Sequence, residues 1–442
     1  MYCTRLLSLP KTILKSSTSK ILPQMRGTCA QCSSKRFFTQ SAELARPVRQ
    51  YGQKTWPFQR LLVLGQNSKF LPQVVRQTTT VTNQGAAATG IPSRADKLVG
   101  TWLLTCAGMA FGAVVIGGVT RLTESGLSMV DWHLIKGMKP PRTQEEWQNE
   151  FNKYQQFPEF KYSETHAKMT LTEFKFIWYM EYCHRMWGRT IGLMFAIPAV
   201  YFLKKGWISK ALKPRLAIYG SLLVFQGLLG WYMVKSGLED KPESTDIPRV
   251  SQYRLASHLG AAFIFYTLLL YQGLQLVLKP QPIKEFAKLG RIRGFAHGLT
   301  ALIFVTAMSG AFVAGLDAGL VYNSWPKMGD NWIPEDLWVF SPKWKNIFEN
   351  TTMVQFNHRN LGETTVCAIA GFWWMCRKAP LPPRARMAVN ALMGMALIQV
   401  SLGITTLLTY VPTPLAATHQ SGSLILLSIS IWLMKELKRI PK

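Results

Sequence analysis

The sequence predicts an all-α polytopic membrane protein of eight transmembrane helices, arranged as two duplicated four-helix bundles. Three observations carry that expectation. Apolar residues fall in blocks of about twenty, the length a helix needs to cross a bilayer. Basic loops alternate along the chain with acidic or mixed ones. One pattern also occurs twice, as Glu181-Tyr182-Cys183-His184-Arg185-Met186-Trp187-Gly188 and as Gln355-Phe356-Asn357-His358-Arg359-Asn360-Leu361-Gly362. The first copy is followed 42 residues after its histidine by Gln226-Gly227-Leu228-Leu229-Gly230, the second 41 residues on by Gln399-Val400-Ser401-Leu402-Gly403. Each copy closes with a further histidine, His258 or His419. A spacing held to one residue over forty marks an internal duplication whose units each carry two histidines.

Taken in order, residues 1–42 hold seven Lys or Arg, many Ser and Thr and no acid, the pattern of a mitochondrial transit peptide rather than a secretory signal. Residues 43–97 continue as a basic, Gln- and Thr-rich arm facing the matrix. Apolar segments follow near 98–120, 184–203, 216–234, 255–278, 294–316, 354–376, 387–411 and 415–434. They divide into an N-terminal bundle, 98–278, with a long outer loop at 121–183, a linker at 279–293 and a C-terminal bundle at 294–434, with a tail at 435–442. Loop 204–215 carries five basic residues and no acid, and loop 377–386 four and none. The loops 121–183, 235–250 and 317–353 hold 18 of the 23 acidic residues. By the positive-inside rule both termini face the matrix.

The net charge of +28 suits nucleic acid, but the basic residues sit in the N-terminal extension and in short loops, so no nucleic-acid partner is expected. Cys29 and Cys32 form a C-x-x-C without the second pair a four-cysteine zinc site needs.

His184, His258, His358 and His419 open the four segments that run from the outer face toward the matrix, which puts them at one depth and pairs His184 with His258 and His358 with His419. Two imidazoles on neighbouring helices running the same way can approach one iron from opposite sides, as bis-histidine haem ligation requires. Zinc fits less well, because no cysteine or carboxylate is duplicated with the histidines. His297 reads as a partner for a backbone carbonyl or headgroup, and His133 and His166 as solvated loop residues. Arg185 and Arg359 follow the histidines directly; their guanidinium forks suit haem propionates or snorkel to the interface. Glu181 lies one turn before His184, where the second copy has Gln355. Glu181 can take a proton and Gln355 cannot, so one site reads as chemistry and the other as a held cofactor, unless Glu181 simply pairs with Arg185 or Lys175. An electron-carrying cytochrome b and a haem transfer or assembly factor are the rival readings. Both pairs on one side of the bilayer argue against the first.

Seven stretches carry a resemblance: Gly117-Gly118-Val119-Thr120-Arg121-Leu122-Thr123-Glu124-Ser125-Gly126-Leu127-Ser128, Glu181 to Arg185, Gln226 to Gly230, Ala256 to Gly260, Ala314-Gly315-Leu316-Asp317-Ala318-Gly319-Leu320, Asn357-His358-Arg359 and Thr418-His419-Gln420-Ser421-Gly422. Together they resemble the mitochondrial haem A synthase family over nearly everything from residue 98 onward. The resemblance implies an inner-membrane enzyme that converts haem O to haem A for cytochrome c oxidase, oxidising the C8 methyl to a formyl group through hydroxylation. It implies a haem b cofactor on His358 and His419, with Arg359 beside it. It implies a substrate haem on His184 and His258, with Arg185 beside it and Glu181 as the catalytic carboxylate. A matrix ferredoxin and its reductase are the implied electron source, with haem O synthase and oxidase assembly factors as further partners. Many bacterial members carry a cysteine pair in the first outer loop; here no cysteine lies between Cys106 and Cys183.

Overall fold

Each apolar block folds into a helix, and the starts are set by local chemistry. Ser93 and Asp96 form a reciprocal capping box at the first helix, Asn350 accepts from Thr352 N and Met353 N at a later one, and Pro stands at the first turn of three others. The structure, a computed structural model, describes residues 92–438, except 134, 136–138, 163–167 and 240–249. The expected transit peptide, the Cys29/Cys32 pair, most of the basic arm, His166 and the end of the tail lie outside those residues.

The helices are α1 (Arg94–Leu122), α2 (Gln144–Tyr154), α3 (Pro158–Tyr162), α4 (Leu171–Lys204), α5 (Lys213–Gly237), α6 (Gln252–Val277), α7 (Leu289–Gly315), α8 (Asn346–Glu349), α9 (Thr351–Cys376), α10 (Pro383–Leu408) and α11 (Thr413–Glu436). Among the described residues there is no β-strand. Six helices, α1, α4, α5, α6, α7 and α10, are long and apolar enough to cross a membrane. The expected sixth and eighth segments also form long helices, α9 and α11, but lie outside those six, with His358, Arg359 and Glu363 interrupting the apolar run of α9.

The expected start of the second segment is corrected. His184 does not open its helix, because α4 begins at Leu171, where Thr170 and Glu173 make a capping box. The extra turns pack Phe174, Ile177 and Trp178 against Trp147, Phe151 and Tyr154, so the outer loop is itself a small helical cap with its own apolar core. That cap was not visible in a stretch read as hydrophilic.

Packing follows one scheme in each half. Helix α1 lies against α4 and α6, with α5 on α6; helix α7 lies against α9 and α11, with α10 on α11. The halves meet through α1, α6, α7 and α11, where Tyr266 Oη and Ser428 Oγ are 2.6 Å apart and Gln420 Nε2 donates to Val114 O at 3.3 Å. Helices α1 and α7 each run into a turn with a left-handed residue, Glu124 (φ 50°) and Asp317 (φ 52°). Arg121 joins the two turns by an ion pair to Asp317 at 2.9 Å.

Candidate functional site

The second histidine pair is built from four helices and two glycine notches. His358 on α9 and His419 on α11 face each other with ring centroids 6.3 Å apart and planes at 85°. Two axial imidazoles on one iron, each bonded at about 2 Å, place their ring centres roughly that far apart. Gly403 on α10 makes room for His419, since a Cβ there would lie 2.8 Å from the ring, closer than side chains pack. Gly310 on α7 does the same for His358, at 3.1 Å.

Hydrogen bonds then fix the rings. Ser309 Oγ gives its one proton to Thr306 O at 2.7 Å, so at His358 Nδ1, 2.8 Å away, it acts as acceptor. A proton on His358 Nδ1 shared with this oxygen would leave Nε2 with a free lone pair, the form that ligates a metal. Gln399 Nε2 lies 3.1 Å from His419 Nδ1 and donates to His419 O at 2.9 Å.

The first pair repeats the frame without the fastenings. A Cβ on Gly117 of α1 would lie 2.8 Å from the His184 ring, and one on Gly230 of α5 would lie 3.7 Å from His258 Cε1. His258 is within electrostatic reach of His184. Gln226 Nε2 donates to His258 O at 3.2 Å, matching Gln399, yet among the described residues the buried Nδ1 atoms of His184 and His258 have no hydrogen-bond partner. Ile116 stands before Gly117 where Ser309 stands before Gly310, so the hydroxyl that orients His358 has no counterpart beside His184. Among the described residues no three His, Cys, Asp or Glu side chains gather to make a protein-only metal site.

Beside each pair, an arginine ties an outer loop to the histidine helix. Arg185 pairs with Glu181 and donates to Met129 O at 2.7 Å and Asp131 O at 2.8 Å; Glu181 also accepts from Met129 N at 2.7 Å and Ser128 Oγ at 3.0 Å. Both side chains are about 5% exposed, so each charge depends on the other and on the loop backbone. In the second half Arg359 donates to Tyr322 O at 2.6 Å and Ser324 O at 2.8 Å, and Gln355 Nε2 donates to Tyr322 O at 3.2 Å. The exchange of Glu for Gln thus reverses a bond: the carboxylate accepts from a loop N–H, the amide donates to a loop carbonyl. Glu181 is partnered by Arg185 and not by Lys175, whose ammonium lies 3.4 Å from Gln144 Oε1.

With this geometry in place, comparison with known proteins is decisive. Residues 100–431 match the family model COX15-CtaA, described as cytochrome oxidase assembly protein. The chain belongs to this family. Its relatives include Heme A synthase COX15 of Bos taurus, 62% identical over 359 residues, which are 81% of this chain and 86% of the relative. Heme A synthase COX15 of Homo sapiens is 62% identical over 359 residues (81% and 87%), and that of Mus musculus 62% over 366 (83% and 88%).

In this COX15-CtaA chain the remaining sequence candidates fall outside both sites. His297 Nδ1 lies 2.7 Å from Arg293 O on its own helix, the carbonyl partnership expected of it. His133 is exposed, and its carbonyl accepts from Arg189 at 2.9 Å. Sequence reasoning missed Ser309 and the loop-tying role of Arg185 and Arg359. The glycines were visible, in the motif ending at Gly230 and Gly403, but only as marks of duplication.

Proposed function

We propose that the chain is a haem A synthase, a membrane oxidoreductase of mitochondria that converts haem O to haem A for cytochrome c oxidase. The eight long helices are read as eight spans in two duplicated bundles, with both termini in the matrix. His358 and His419 would hold haem b, with Arg359 lending positive charge at the rim. Bound there, haem b supplies one-electron redox chemistry. His184 and His258 would hold the substrate haem O with Arg185 at the rim, and Glu181 would accept a proton as the C8 methyl is oxidised through the hydroxylated stage to the formyl group. Dioxygen would be the oxidant in each of the two oxidations, reduced to the level of water with electrons from a matrix ferredoxin and its reductase.

The observation that carries this division is the difference in fastening. A ring whose Nδ1 faces a hydroxyl, as His358 faces Ser309, suits a group that stays; rings with unpartnered Nδ1, as at His184 and His258, suit one that arrives, reacts and leaves. Glu181→Ala separates the roles. Purified variant should retain haem b with an unchanged optical spectrum and yield no haem A from haem O. Normal haem A production by that variant would remove Glu181 from the chemistry.

A further inference from the structure

Trp132, in the loop between α1 and α2, lies against α4, which carries His184, and against α5 beside His258. Its indole lies over the Arg185 guanidinium, 4.5 Å from Cζ to ring centroid, immediately after His184 on α4. Its Cη2 lies 3.5 Å from where a Cβ on Gly230 of α5 would sit, and His258 Cε1 lies 3.7 Å from that same point. Indole edge and imidazole therefore border the same point of α5, each at van der Waals distance from it. Arg185 fixes the backbone beneath, donating to the carbonyl of the preceding Asp131 at 2.8 Å.

The place it spans matters. Helices α4 and α5 touch only sparsely, with Phe195 against Gly220 among their contacts, whereas α9 and α10 pack together more extensively. Trp132 bridges α4 and α5 beside the histidines. Among the described residues no aromatic ring stacks on Arg359, so the second pair has no such bridge.

We infer that Trp132 belongs to the substrate site: its indole walls the slot beside His258 and packs against the flat tetrapyrrole of haem O, positioning it between His184 and His258. A large flat ring matches that task, offering apolar area and π contact at small entropic cost. The inference rests on assigning the first pair to the substrate haem, and the test keeps the two apart. The chain, loaded with haem b, is titrated with ferric haem O without reductant, so that nothing turns over, and binding is followed in the Soret band. Trp132→Ala should weaken haem O binding about tenfold and Trp132→Phe about threefold, each with the haem b spectrum unchanged. Should the alanine variant lose haem b as well, the phenylalanine variant decides. His184→Ala should abolish the haem O titration. Unaltered binding in His184→Ala would overturn the substrate assignment itself. Binding lost in His184→Ala but unaltered in Trp132→Phe and in any folded Trp132→Ala would overturn the role of Trp132 alone.

Discussion

The two histidine sites share a frame and differ in what secures it. In both, a glycine on α1 or α7 admits the first imidazole, a glutamine bonds the carbonyl of the second histidine, and an arginine ties down the outer loop. Only the second sets a polar atom against each Nδ1, Ser309 Oγ at His358 and Gln399 Nε2 at His419, and only the Ser309 hydroxyl can accept from one. Only the first sets a carboxylate against its arginine and an indole above it. On the proposed reading, these few side chains separate the site that keeps its haem from the site where haem O reacts.

The largest expected difference concerns the arginines. Arg185→Ala leaves Glu181 charged and buried without its partner, which costs about 3–5 kcal/mol. Arg359→Ala strips hydrogen bonds to neutral groups, with no carboxylate hydrogen-bonded to it, costing about 1–3 kcal/mol. Thermal unfolding in detergent should show the larger drop for Arg185→Ala, and hydrogen exchange should place the loosening at residues 128–132. Equal drops would erase the distinction between the two loop anchors.

An intermediate effect follows from Ser309. Ser309→Ala removes the acceptor that holds His358 in its ligating form and should weaken haem b retention about 10–100-fold. Grafting the hydroxyl onto the matched place, as Ile116→Ser, should orient His184 instead and slow product release while leaving haem b retention unchanged. Haem loss to an apo-globin acceptor measures the first, and single-turnover release the second.

The smallest effect is confined to the outer cap of the first half. Burial pushes the Glu159 carboxyl up to about 8, against a hydrogen bond donated by Tyr154 Oη at 3.1 Å. The fold favours the protonated acid, so its contribution is full below about pH 4.5 and is lost as pH rises through about 8. Exchange protection in residues 144–162, corrected for the intrinsic rate, should fall over that window, and Glu159→Gln should flatten the fall.

The helices were legible because apolar length is a strong signal: the ends expected for α5, α6, α7, α9, α10 and α11 differ from those observed by only a few residues. Helix α4 was misjudged at its start because its outer turns are half-polar, and their apolar face is covered by α2, a partner distant from the membrane pattern. The four histidines were legible because they recur at fixed spacing. Ser309 and Trp132 were not, since neither recurs, and each matters only through a neighbour brought close by the fold.

The most direct test of the division of labour replaces His258 with alanine and supplies haem O, reductant and oxygen, followed by chromatography of the extracted pigments. One haem b per chain should remain, with no haem A formed. Haem A made at the normal rate, or haem b lost together with activity, would contradict the assignment of substrate to the first site and cofactor to the second.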